Sequence, residues 1–186
     1  MKYLRSIITI GIISPAATIV GCGVGANNLD IRKVDAEQAL LNQEFDQTYY
    51  CVDNDGNVEL LLHQSGGEEG NIEQMVYLRT FWRVVPGKTG ADPSGTNAYV
   101  TYFIISGNRG AIYRGAGMVL LKGKPGRHRL GANIKSANLD LVNHSAHFPD
   151  IFGAAVMSGK ISARHDKAAL RKIYRRFERR TRPLES

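Results

Sequence analysis

The segment AYVTYFIIS, residues 98–106, decides the fold class of this 186-residue chain. Seven of its nine residues are β-branched or aromatic, the types that are enriched in strands. Apolar side chains occupy both of its alternating faces, which is typical of a strand covered on both sides. The segment therefore predicts a central strand of a β-sheet.

Strand-like runs continue on both sides of this segment. A hairpin is predicted from residues 48–52 and 58–63 around the turn 53–57. Further strands are predicted at 75–85, 111–121, 130–134, 139–142, 152–157 and 160–163. About nine short strands, with no alternation of helices and strands, indicate an antiparallel sandwich or barrel rather than a parallel α/β enzyme. We expect a mainly β protein, an antiparallel β-sandwich of Ig-like or related type.

Two helices are predicted to flank the sandwich. Asp35 as N-cap, with Leu41 and Phe45 spaced four residues apart, predicts a short helix over residues 35–45. Residues 166–181 are predicted to form an amphipathic helix that ends before Pro183. Its apolar stripe, at i, i+3, i+4 and i+7, consists of Leu170, Ile173, Tyr174 and Phe177.

The first 20 residues differ in composition from the rest of the chain. Lys2 and Arg5 precede an apolar run over residues 6–20. A membrane span would need about 20 apolar residues, whereas a basic segment followed by a shorter apolar run is typical of a secretory signal peptide. We therefore expect residues 1–21 to direct export.

The apolar run ends in Ile19-Val20-Gly21-Cys22. This sequence resembles the lipobox of bacterial lipoproteins, in which an aliphatic residue, a small or β-branched residue and Gly precede an obligatory Cys. The resemblance covers the first 22 residues and implies cleavage between Gly21 and Cys22 and a lipid on the Cys22 thiol, which would anchor the protein stably in a membrane. Because Gly23 is not the Asp that retains enteric lipoproteins in the inner membrane, the outer membrane is favoured.

The mature chain would have 165 residues and a net charge of +5. Residues 22–29 would form the lipidated cysteine and a flexible tether, followed by one domain over 30–182. Its composition, 43% hydrophobic and 22% charged, is that of a globular domain. Cys51 would be the remaining thiol, which excludes an intramolecular disulfide. Residues 30–75 hold eleven acidic residues against two basic ones, a net charge of −9.

The C-terminal helix carries many cations outside its apolar stripe. They could contact an anionic surface, such as lipid headgroups or the phosphates of cell-wall polymers. Alternatively, the stripe packs on the sheet and the cations face solvent, some of them paired with the acidic segment 30–75; four large apolar residues favour this packing. Nucleic acid is not an expected partner of an exported protein. The candidates for an anionic surface are Arg171, Lys172, Arg175, Arg176, Arg179 and Arg180.

Two groups of residues contain metal-type ligands without the spacing of a metal motif. Asp53 and Asp55 alternate as in calcium loops, but the glycine of the turn does not stand at the sixth position that an EF-hand requires. His144, His147 and Asp150 would need further ligands and supporting contacts to hold zinc. An Asp- and Gly-rich turn and exposed histidines are the simpler interpretations, so neither a metal nor a cofactor is predicted.

No catalytic residue is predicted. The chain has no Gly-x-Ser-x-Gly motif, and Cys51 lies within a predicted strand, as a small buried residue does. Gly87-Lys88-Thr89 resembles the end of a phosphate-binding loop but lacks its first glycine. The polar segment 87–97 is the preferred recognition loop, because long loops often carry binding function.

Three functions remain open at this point. The favoured one is a non-catalytic binding or structural module of the cell envelope, anchored to the membrane and in contact with another envelope protein or an anionic polymer. The second is a carrier of a small apolar ligand, and the third is a metal-dependent hydrolase built on His144, His147 and Asp150. The aromatic residues that could line a carrier's cavity are Phe81, Trp82, Tyr99, Tyr102 and Phe103.

Overall fold

The computed structural model describes residues 27–34, 41–66, 72–81 and 95–182. The predicted signal peptide, Cys22, most of the loop 87–97 and Pro183 lie outside these residues. The described part contains nine strands and one helix: β1 (Asn28–Lys33), β2 (Leu41–Glu44), β3 (Gln47–Val52), β4 (Val58–Gln64), β5 (Ile72–Thr80), β6 (Ala98–Ser106), β7 (Arg109–Lys122), β8 (Arg129–His144), β9 (Ala155–His165) and α1 (Lys167–Thr181).

All nine strands belong to one sheet, in the order β2-β1-β9-β3-β4-β5-β6-β7-β8. The last strand, β8, also pairs with β9, so the sheet curls into a partial ring. Its neighbours are antiparallel except β3 and β9, where Tyr49 and Tyr50 pair in parallel with Arg164 and His165. The prediction of a mainly β, largely antiparallel protein is confirmed. The two separate sheets of a sandwich are not formed by the described strands, because β9 is hydrogen-bonded along both of its edges.

Several strands with strong local patterns lie where the sequence predicts them, but the strand predicted at 75–85 is β5, which starts at Ile72 and ends at Thr80. The hairpin of β3 and β4 is confirmed, and β6 has the predicted bounds and pairs with both β5 and β7. The strands predicted at 130–134 and 139–142 are one strand, β8, with a register shift between Ile134 and Ala137. The runs 152–157 and 160–163 likewise join in β9, which starts at Ala155. A bulge lets one strand continue through polar residues that resemble a turn in the sequence.

The predicted helix over 35–45 is wrong where it can be compared. Residues 35–40 lie outside the described part, and Leu41–Glu44 forms β2, whose Leu41 is paired with Ile31 of β1. Its side chains alternate between half-buried and exposed, the period of a strand. Pairing with β1 therefore overrides the local helical pattern. β1 itself begins at Asn28, so Leu29, fully buried, belongs to the sheet and not to the predicted tether.

The sheet has an apolar cluster on each face. The inner cluster fills the ring and includes Tyr102, Tyr113 and Phe152, whose rings are 5.2–6.3 Å apart. The outer cluster lies between the sheet and α1. The predicted C-terminal helix is confirmed, and it covers the outer face of β3 and β4 among other strands. The ring is thus a packed core with one helix docked outside it.

Two glycines of β7 allow β8 to approach closely. A Cβ added at Gly115 would overlap the carbonyl oxygen of Asn138, and one added at Gly117 would overlap that of Ser136. Backbone atoms cannot move aside as a flexible side-chain end can. These positions therefore set how tightly β7 and β8 pair between the two register shifts of this strand pair.

We predict that Gly115→Ala destabilises the protein by about 2 kcal/mol or more, because overpacking forces the backbone to shift. Gly131→Ala is the control and should cost less. The nearest atom to its added Cβ would be the side-chain Cβ of Lys122, at 3.1 Å, and not a backbone oxygen that it would overlap. Urea unfolding followed by circular dichroism measures both. Equal, small shifts of the two midpoints would show that β8 is not held as close to Gly115 as described.

Candidate functional site

The helix α1 is fixed on the sheet by its first turn and its apolar stripe. Asp166 is the N-cap, and its Oδ1 accepts a hydrogen bond from the backbone N of Ala169 at 2.9 Å. Leu170, Ile173 and Phe177 are buried against the outer cluster, as the stripe predicts. The rotation of the helix about its axis is therefore set, and with it the direction of each charged side chain.

Three of the six candidate cations bind glutamates of the sheet. Nη2 of Arg171 lies 2.9 Å and 2.8 Å from the two carboxylate oxygens of Glu59 on β4. Arg176 and Arg180 both form ion pairs with Glu73 on β5. Both glutamates belong to the acidic segment 30–75, so the expected pairing of helix and acidic segment is confirmed for these three arginines.

The other three candidates, Lys172, Arg175 and Arg179, are exposed. Among the described residues, none of them forms a salt bridge with an acidic side chain, and the Nε of Arg179 donates to the backbone oxygen of Arg175 at 3.3 Å. At 100° per residue they project from the helix face opposite the apolar stripe. We call Lys172, Arg175 and Arg179 the outward cations; they form an unneutralised basic face of α1.

A groove of about 690 Å³ runs between α1 and the β3–β4 hairpin. Four of its lining residues are cationic and none is acidic, although Glu73 stands behind two of the cations. We call this the basic groove. It is lined by Gln47, Tyr49, His63, Ser65, Ala169, Lys172, Ile173, Arg176, Arg179 and Arg180.

His63 connects the basic groove to the ion pairs and was not singled out from the sequence. It is 3% exposed, and its Nε2 lies 2.8 Å from Oε1 of Glu73 and 3.0 Å from Nη2 of Arg176. Its ring packs edge-on against Phe177. The Nδ1 atom is buried and has no hydrogen-bond partner among the described residues. In the sequence His63 merely ends an apolar run, so only the three-dimensional arrangement reveals this environment.

Cys51 is a buried structural residue. Its Sγ donates to Oε2 of Glu59 at 3.3 Å. Burial, together with the nearby Glu59 carboxylate, raises the pKa of the Cys51 thiol to about 12. A thiol with so high a pKa carries almost no thiolate at neutral pH and is a poor nucleophile.

The calcium candidates belong to the hairpin turn. Both oxygens of Asp53 accept hydrogen bonds, Oδ1 from the backbone N of Asp55 and Asn57 and Oδ2 from the Asn57 amide and from Arg79 at 2.8 Å. Burial alone would raise the pKa of Asp53, but these hydrogen bonds, first that of Arg79, lower it well below its usual range. The carboxylate thus closes the turn between β3 and β4.

The zinc candidates do not come together as a cluster. Oδ1 of Asp150 accepts from the Tyr113 hydroxyl and from the backbone N of Gly153, both at 2.9 Å. Nδ1 of His144 lies 3.1 Å from the backbone oxygen of Ser145, and His147 is a non-glycine residue with positive φ, 66°. Within the described ranges, no group of three or more His, Cys, Asp or Glu residues is placed to hold a metal ion.

The aromatic residues proposed for a carrier's cavity lie in different places. Tyr102 is part of the inner cluster and Phe103 part of the outer one. Tyr99 is 61% exposed, and its ring lies 4.8 Å from that of Phe81. Trp82 lies outside the described residues. The described members therefore do not line one common cavity.

No family model, curated protein or solved structure matches this chain. In the part that the structure describes, no helix has the length and apolar character that a membrane span needs.

We predict that Arg171→Ala destabilises the protein by about 2 kcal/mol, because Glu59, with 4% of its side chain exposed, would lose its counter-ion. The cost is lower than that of breaking a fully buried pair, since Arg171 itself is 36% exposed. Arg175→Ala removes an outward cation from the same helix and should cost less than about 0.5 kcal/mol. Urea midpoints of the two variants make the comparison, and a loss as small for Arg171→Ala as for Arg175→Ala would contradict this account of the ion pair.

Proposed function

We propose that this chain is a lipid-anchored protein of the bacterial cell envelope, favouring the outer membrane, and that its domain is a non-catalytic binding module. The lipobox-like sequence that ends in Cys22 supports the anchor. The observation that carries the binding role is the exposed face of α1, where Lys172, Arg175 and Arg179 stand without acidic partners among the described residues. This face would contact an anionic surface.

For a lipid-anchored domain on a short tether, the membrane itself is the anionic surface that the domain can always reach. Five residues, 23–27, separate Cys22 from β1, and a fully extended chain of that length spans no more than about 20 Å. Each exposed Lys or Arg contributes about 1 kcal/mol to binding an anionic lipid surface. Such a weak contact becomes effective once an anchor keeps the domain at the membrane.

The position at which the chain enters the domain also supports this orientation. Asn27 is fixed there, since its Oδ1 accepts from the backbone N of Ser162 at 2.7 Å. Asn27 shares a surface depression with Gln47 and Tyr49, which also line the basic groove. The entry of the tether and the basic side of α1 are therefore neighbours, and a short tether would bring that side to the membrane.

The anchor is tested by expressing the wild type and Cys22→Ala in a bacterial host. We expect the wild type in the membrane fraction with a mass that shows a lipid on Cys22 and the loss of residues 1–21, and the variant unprocessed. Fractionation and intact-mass measurement give both results. A soluble wild type that is cleaved elsewhere would contradict the proposal.

The surface contact is tested on the purified lipidated protein in vesicles of phosphatidylcholine, with or without 30% phosphatidylglycerol. A water-soluble amine reagent should label Lys172 more slowly on the anionic vesicles, relative to Lys124, an exposed lysine of the β7–β8 turn. Mass spectrometry of the labelled peptides measures the ratio.

The double variant Arg175→Gln/Arg179→Gln keeps Lys172 as the reporter and should abolish this protection. An unchanged Lys172 to Lys124 ratio on the two kinds of vesicle would contradict the membrane contact. Protection of Lys172 in intact cells but not on anionic vesicles would overturn it in favour of an anionic polymer.

A further inference from the structure

The basic groove beside α1 is a concave part of the basic side of the helix and shares Lys172 and Arg179 with the outward cations. We infer that it binds the phosphate of an anionic lipid headgroup, with Lys172 and Arg179 as its free cations and with Arg176 and Arg180 held at its wall by Glu73. This inference rests on the proposed membrane contact and specifies where on the domain a headgroup is held.

The charge of the basic groove favours an anion. Lys172, Arg176, Arg179 and Arg180 line it, and Glu73 is the acidic partner of two of them, so these five side chains leave a balance of three positive charges. Guanidinium groups present several N–H donors in a fixed plane, which matches the oxygens of a phosphate. The arginines bound to Glu73 are held in position at the wall of the groove.

His63 helps to fix the wall of the basic groove. Its Nε2 lies 2.8 Å from Oε1 of Glu73 and 3.0 Å from Nη2 of Arg176, and its ring packs edge-on against Phe177. Arg176 is therefore held at the groove by both Glu73 and His63.

The location of the basic groove favours a headgroup as the source of the phosphate. Gln47 and Tyr49 line both this groove and the depression that contains Asn27. Asn27, the first described residue after Cys22, therefore lies beside it. A volume of about 690 Å³ in an open groove is ample for a glycerophosphate headgroup.

The test uses the full lipidated protein in non-ionic detergent and isothermal titration calorimetry. The probes are glycerophosphoglycerol, the deacylated headgroup of phosphatidylglycerol, and for comparison glycerophosphocholine and inorganic phosphate. We expect glycerophosphoglycerol to bind and glycerophosphocholine to bind at least tenfold more weakly.

Two matched variants locate the binding. Lys172→Gln and Arg175→Gln remove the same charge from the same helix, but only Lys172 lines the basic groove. We expect the first to weaken the binding of glycerophosphoglycerol about fivefold or more and the second by less than twofold. Equal weakening by the two variants would contradict binding in the basic groove and would indicate unspecific attraction to the helix.

The remaining outcomes separate this inference from the proposed function. Binding of inorganic phosphate as tight as that of glycerophosphoglycerol would overturn the headgroup as the specific ligand and leave a site for free phosphate. Absence of binding, together with protection of Lys172 on anionic vesicles, would overturn the inference and leave the proposed function standing. Absence of both would contradict both.

Discussion

The carboxylates of Glu59 and Glu73 on the outer face of the sheet are the constraint on which the rest of the arrangement depends. Glu59 is almost completely buried and Glu73 is partly buried, and a buried charge without a counter-ion is strongly destabilising. Arg171, Arg176 and Arg180 meet this need from one helix. The apolar stripe of α1 attracts the helix to the sheet and sets its rotation, and the ion pairs then neutralise the two carboxylates.

This docking divides the cations of α1 into two groups. The three arginines that pair with the sheet stabilise the fold, while Lys172, Arg175 and Arg179 are exposed and have no acidic partner among the described residues. The same docking forms the basic groove between the helix flank and the β3–β4 hairpin, where Lys172 and Arg179 lie beside Arg176 and Arg180. Variants of Lys172 and Arg175 can therefore test the proposed binding without breaking an ion pair of the fold.

Local patterns in the sequence predicted the elements whose neighbours follow closely along the chain. The β3–β4 hairpin, β6 and α1 have such patterns, and the structure has them where expected. β2 could not be predicted in this way, because its strand form depends on pairing with β1. Likewise, the closure of the ring depends on β9 pairing with β8, β1 and β3 together, which no short stretch of sequence encodes.

The candidate site, like the fold, could be predicted only in part from the sequence. The sequence identifies six cations on one helix and an acidic segment far from it, and it favours their pairing. It cannot tell which cations pair, since this depends on the side of the sheet that Glu59 and Glu73 face. His63 carries no recognisable motif, and its unpartnered Nδ1 follows only from the packing of Phe177, Glu73 and Arg176 around it.

The central claim is that three arginines of α1 are paired with carboxylates of the sheet and that the outward cations are not. Selective modification of arginines by phenylglyoxal, followed by peptide mass spectrometry of the folded wild type, tests this claim most directly. The reagent attacks the neutral guanidine, and Glu59, against the opposing effect of burial, raises the pKa of Arg171. The account predicts that Arg175 and Arg179 are modified several-fold faster than Arg171, Arg176 and Arg180. Similar rates at all five positions would contradict the claim that carboxylates of the sheet hold three of them and leave the outward cations free.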